Sequence, residues 1–114
     1  MTDLEGRGLL KDTLAIFAGE FGRAPYAQIE HGRDHNHTGN TTWFAGAGVK
    51  PGHSHGETDE FGYESVIDPV HIHDWHATIL HLLGLEHTKL TFRHAGRDMR
   101  LTEVKGNAVK GILA

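Results

Sequence analysis

The chain has 114 residues, 38% hydrophobic and 23% charged, enough for one globular domain at most and too apolar for a disordered polypeptide. Its net charge of -4, with histidine neutral, argues against a nucleic-acid binder, and the absence of cysteine excludes disulfides and thiolate zinc sites. No apolar run approaches the ~20 residues of a membrane span, and the opening "MTDLEGRGLLKDT" lacks the basic and apolar regions of a signal peptide.

In chain order, "MTDLEGRGLL" reads as the tail of a helix, weakened by Gly6 and Gly8. The continuous apolar run in "DTLAIFAG" predicts a strand buried on both faces. A long polar loop follows from Glu20 to Asn40, and "TTWFAGAG" predicts a second short strand closed by glycines. "VKPGHSHGETDEFGYES" is polar and turn-rich, with Pro51-Gly52 as a turn. "HDWHATILHLLG" predicts the main helix, with Asp74 as N-cap or first-turn acid and Gly84 at C′. Helical spacing puts Trp75, Ile79, Leu80, Leu82 and Leu83 on one stripe, with Asp74, Ala77, Thr78 and His81 opposite. "LTFRHAGRDMRLT" predicts a β-hairpin turning at Ala95-Gly96, and "NAVKGILA" a final short helix or strand. Two buried strands and one long helix are too few for an independent α/β domain. The expectation is therefore the C-terminal portion, residues 1–114, of one larger α/β domain.

The loop "GEFGRAPYAQIEHGRDHNHTGN" concentrates ionisable groups directly after the first strand. Ligands of α/β sheets bind beyond the carboxyl ends of strands. Glu20 lies just past that end, and Asp34 and His35 return just before the second strand. Carboxylate oxygen and imidazole nitrogen together suit zinc or a similar divalent ion. The competing reading is a polar surface loop whose arginines pair with its acids.

The chain holds eleven histidines. "HIHDWH", from His71 to His76, approaches a metallohydrolase H-x-H-x-D-H pattern, but its aspartate stands one place early. A strand-to-helix corner, with Asp74 capping and His76 buried and hydrogen-bonded, accounts for it. His53 and His55 follow the Pro-Gly turn in a solvated loop. Asp59, in the acidic run "ETDEFGYE", is a candidate pocket residue. No G-x-S-x-G, P-loop or G-x-G-x-x-G is present.

The succession "DTLAIFAGEFGRAP", "GRDHN", "WFAGAGVKPG", "GETDEFGY", "PVHIHDWHATILHLLGLEH" and "LTFRHAGRDMRLTEVKG" resembles the C-terminal part of the domain of unknown function 1501 family. Those bacterial proteins, often exported to the periplasm or cell surface, resemble sulfatases of the alkaline-phosphatase-like superfamily. The resemblance implies an alkaline-phosphatase-like α/β fold, a central sheet with flanking helices, incomplete in this chain. It places Glu20-Phe21-Gly22 where the superfamily has an Asp-His metal motif, and His35 at a later metal-binding histidine. Glu20 thus replaces the usual Asp, and Phe21 stands where a ligating His would be. The nucleophile and the remaining ligands would lie upstream.

The expected function that follows is part of a metal-dependent hydrolase of phosphate or sulfate esters. Glu20, His35 and His37 are its expected metal ligands, for zinc or else manganese, magnesium or calcium. Arg23 and Arg33, with Asp34 and Asp59, are the expected substrate-binding residues, because a planar guanidinium suits a tetrahedral oxyanion. The partners expected are a small anionic ester and the missing N-terminal part of the same domain, or self-association, and the chain alone is expected to be inactive. The alternative is an exported, non-catalytic binding protein with a degenerate site.

Overall fold

A computed structural model describes residues 1–103 and 105–114. It divides the chain into two units, Met1–Pro69 and Val70–Ala114, each building its own elements.

The first unit starts with a five-residue helix, α1 (Thr2–Gly6), and a 3₁₀ turn (Leu10–Asp12). Strand β1 (Leu14–Phe17) then pairs antiparallel with β4 (Trp43–Gly46), Leu14 opposite Gly46 and Phe17 opposite Trp43. Both strands fall where the apolar runs predicted them. The expected burial of β1 on both faces is not found: Phe17 is 73% exposed and Ile16 is exposed too. The β1–β4 ribbon is only two strands wide, and burial on both faces needs covering layers that β1 does not have among the described residues.

Two short ladders that the sequence reading placed in loops complete this unit. Strands β2 (Gly22–Arg23) and β3 (His35–Asn36) pair antiparallel, as do β5 (Glu57–Thr58) and β6 (Ser65–Ile67). Asn36 ties them together. It is buried, and its Nδ2 donates to the Tyr63 carbonyl at 2.6 Å. Its Oδ1 accepts from the Thr38 backbone N–H at 3.0 Å and the Thr38 hydroxyl at 2.7 Å. The Ser65 N–H donates to the Thr38 carbonyl at 2.9 Å, so the chain after β3 is fastened to the start of β6.

The second unit is organised on α2 (Ile72–Leu82). His71 is its N-cap, and Asp74 is the first-turn acid, the second of its two expected roles. The His71 Nδ1 accepts from the His73 N–H at 3.2 Å, and the third helical residue, Asp74, accepts from the His71 N–H at 3.3 Å. This reciprocal capping satisfies donors that a helix start leaves unpaired. The helix ends as expected on Gly84, with φ +75°. The Gly84 N–H donates to the His81 carbonyl and the Leu85 N–H to the Leu80 carbonyl, the pairing that glycine at C′ permits. His76 is half-buried, less than expected, and its Nδ1 lies 2.9 Å from the Ile72 carbonyl.

The buried face of α2 differs from the predicted stripe. Leu80 of that stripe is buried, but the other buried positions, Ala77 and Thr78, lie on the face expected to be opposite, and Leu83 is 60% exposed. The cause is the segment after residue 105. The Asn107 N–H donates to Asp74 Oδ1 at 2.8 Å and the Val109 N–H to Thr78 Oγ1 at 2.9 Å. The Thr78 hydroxyl in turn donates to the Asp74 carbonyl at 2.6 Å. Chain returning along the polar face covers it, and hydrogen bonds offset the desolvation.

Strands β7 (Phe92–His94) and β8 (Arg97–Met99) form the predicted hairpin. Its two turn residues, Ala95 and Gly96, both have positive φ, +48° and +81°. That is the turn whose twist matches a hairpin. Glu103 braces the base: it accepts from Arg97 Nη2 at 2.6 Å and from the Arg100 N–H at 2.9 Å. The Arg100 N–H, and then the Arg97 charge, hold its carboxyl below the usual value. The final segment forms a 3₁₀ turn (Lys110–Ile112).

The described residues therefore form a mixed α and β assembly of one main helix and separate two-stranded antiparallel ladders, in place of the expected central sheet flanked by helices. The longest strands have four residues and each pairs with a single neighbour, so no multi-stranded sheet arises among them.

Three outcomes follow from this packing. Asn36→Asp turns an acceptor toward the Tyr63 carbonyl and should cost about 1–3 kcal/mol, read as a lower urea midpoint at constant slope; an unchanged midpoint would show no net contribution from that bond. Ala95→Asn puts at this positive φ a residue whose short polar side chain offsets the strain by local hydrogen bonding, and should stabilise by about 1 kcal/mol, read as a higher Tm. The depressed Glu103 carboxyl adds stability above its ordinary pKa, and this is lost as pH falls through the folded-state value. Glu103→Gln should accordingly flatten the acid-side loss of stability in urea titrations run from neutral to acidic pH.

Candidate functional site

The candidate site is built on the β2–β3 ladder. Its register sets Gly22 opposite Asn36 and Arg23 opposite His35. Gly22 is required by close approach, because a Cβ there would overlap the Gly39 carbonyl. The ladder continues beyond the strands: the Ala24 N–H donates to the Asp34 carbonyl at 2.8 Å, and the Asp34 N–H to the Tyr26 carbonyl at 3.2 Å. Arg33 clamps the pair from the side. Its Nε donates to the Ala24 carbonyl at 2.5 Å and its Nη2 to the Arg23 carbonyl at 2.9 Å.

This pairing gathers Arg23, Arg33, Asp34 and His35 around one open cleft of about 860 Å³, with Gln28 and Gly32 completing the lining. Asp34 Oδ1 accepts from the Gln28 N–H at 3.4 Å, while its Oδ2 is buried without a hydrogen-bond partner. Gln28 and Gly32 carry no sequence signal of their own. They reach the cleft only because the ladder folds the loop back on itself. Beside it, the Tyr26 and Tyr63 rings stack at 6.0 Å, and the hydrogen bond to Tyr63 raises the Tyr26 pKa above its ordinary value.

The other expected site residues lie outside that lining. Glu20 is exposed and directly precedes Phe21, whose ring packs at 5.2 Å and 60° against His35. His37 is exposed, just past buried Asn36. Asp59 accepts from the Phe61 N–H at 3.2 Å and the Tyr63 N–H at 2.8 Å, and so shapes the turn between β5 and β6. The donor set does not make a metal centre by itself: no three His, Asp or Glu side chains converge on one point among the described residues. A second, smaller cavity of about 230 Å³ shares Arg23 and Arg33 with the cleft. Among the described residues no helix is long and apolar enough to cross a membrane.

No curated protein and no solved structure matches the chain. One family model does, over residues 1–113, and its description is "Protein of unknown function (DUF1501)". The match takes in the cleft, the Asn36 tie, the capped helix and the hairpin alike, and the chain belongs to the DUF1501 family.

Proposed function

We propose that this chain is the C-terminal part of an alkaline-phosphatase-like, sulfatase-like domain, and that it supplies anion-binding groups to a metal-dependent hydrolase of phosphate or sulfate esters. The observation that carries the reading is the clustering of Arg23, Arg33, Asp34 and His35 around one cleft. Guanidinium groups match the oxygens of a tetrahedral oxyanion and stabilise the charge that develops in ester cleavage. Arg33 has two of its N–H groups on backbone carbonyls, so it also fixes the strand that carries Arg23. Ser54 and Ser65, the only serines, do not line the cleft, so the nucleophile is assigned to another segment of the whole protein.

The proposed ion is zinc, or else manganese, magnesium or calcium, taken by Glu20, His35 and His37 only with further ligands from outside these residues. An ion there would neutralise the ester oxygens. The need for more polypeptide is supported by the scarcity of core. Among the described residues Ala24, Ala77 and Leu80 are the buried apolar ones, whereas Phe17, Ile29 and Phe61 are each at least 70% exposed. Large exposed apolar side chains in this number suit a surface covered by the rest of the domain or by self-association.

A second reading, a non-catalytic binding protein with a degenerate site, is favoured by Phe21. Its ring, which cannot ligate a metal, rests on His35.

Calorimetric titration with inorganic phosphate and sulfate, paired with assays on aryl phosphate and aryl sulfate esters, separates these readings. The chain alone should bind the anions, weaken roughly tenfold or more in Arg23→Ala, and show no turnover with any of the four metals. Absence of anion binding would sink the hydrolase reading. Metal-dependent turnover abolished by Glu20→Ala and His35→Ala would show a complete enzyme in place of a part.

A further inference from the structure

Arg23 and Arg33 stand between two cavities of different character, both within the first unit. The larger cleft is chemically mixed: Asp34 brings a carboxylate, Gln28 an amide and His35 an imidazole. The smaller cavity, about 230 Å³, has no carboxylate among its described lining residues. Beside the two arginines it is lined by Asn40, Thr41 and Thr58, and by Gly22, Gly39 and Gly62.

We infer that the smaller cavity seats the oxyanion and the larger cleft seats the organic group of the same ester, which rests on the anionic-ester reading given above. Charge separates the two. A carboxylate repels a phosphate or sulfate, so an anion placed beside Asp34 loses part of what the arginines contribute. In the smaller cavity two positive charges meet only neutral donors. The Thr41 and Thr58 hydroxyls are engaged by no other group among the described residues and are free to donate.

The walls of this cavity are held in place. A Cβ on Gly22 would overlap the Gly39 carbonyl, and one on Gly39 would come within 2.8 Å of the Tyr63 carbonyl. Tyr63 is in turn held by Asn36 at 2.6 Å. Gly22 and Gly39 therefore let backbone stand where side chains would collide, and the Asn36 tie fixes that backbone. The larger cleft, with its polar but partly anionic lining, suits a neutral hydroxylated or amide-bearing group that hydrogen-bonds to Gln28 and Asp34. The specificity expected is for the monoester of such a group, with Asp34 discriminating against a second anionic substituent on it.

The test is amide chemical-shift mapping of the purified chain titrated with inorganic phosphate, and separately with inorganic sulfate. Shifts should centre on Gly39, Asn40, Thr41, Thr58 and Gly62, and Thr41→Val and Thr58→Val should each weaken binding roughly tenfold. Saturable shifts centred on Gln28, Gly32 and Asp34 would overturn this assignment and leave the anionic-ester reading intact. No saturable shift with either anion would overturn both. Should a valine variant fail to fold, the wild-type map alone decides between these outcomes.

Discussion

The side-chain amide of Asn36 joins three pieces of chain. Its donor reaches the Tyr63 carbonyl, its acceptor takes two bonds from Thr38, and its own backbone lies in the ladder with Gly22. Around it Gly22, Gly39 and the Tyr63 carbonyl approach so closely that a side chain at either glycine would collide with backbone. Gly22 and Gly39, which line the smaller cavity, are held at this contact. With the amide lost, the Tyr63 carbonyl keeps only Thr38 Oγ1, at 2.9 Å, and that hydroxyl has a single proton for both the carbonyl and any other acceptor.

Both units are organised by polar side chains, Asn36 and Thr78 buried and Asp74 half-buried, more than by an apolar core. What Asn36 does in the first unit, Asp74 and Thr78 do in the second: each accepts a backbone N–H from the segment that follows residue 105. Bonds of this kind contribute modestly when made and cost more when one partner is removed. They give a specific arrangement without the area burial that makes a small domain stable by itself. Large apolar side chains are left outside, with Phe17 and Trp43 paired on one exposed ribbon.

In the cleft the same economy of groups recurs. Arg33 serves the backbone with its Nε and Nη2 and lines both cavities, whereas Arg23 sits on the strand that Arg33 holds. Asp34 has one oxygen on the Gln28 N–H and the other buried. It helps to shape the loop and sets the sign of the field on one side of the arginine pair.

Some of this was legible in the amino-acid sequence, for a physical reason that is local in each case. The apolar runs placed β1 and β4, glycine at a positive φ ended α2 at Gly84, and Ala95-Gly96 turned the hairpin, because each signal acts within a few residues along the chain. The family resemblance carried by the motifs was also legible, and the family match over residues 1–113 agrees with it. The β2–β3 and β5–β6 ladders were not legible, since strands of two or three residues have no periodicity to display. The buried face of α2 was legible only in part: hydrophobic spacing pointed correctly to Leu80, but also to Leu83, and hydrogen bonds from residues 107 and 109 cover Thr78 on the other face. The meeting of Arg23, Arg33, Asp34 and His35 was decided only by tertiary structure. Residues ten or more apart were brought together by a ladder whose register rests on a glycine contact and an amide bond to residue 63, and no local pattern encodes a contact over that distance.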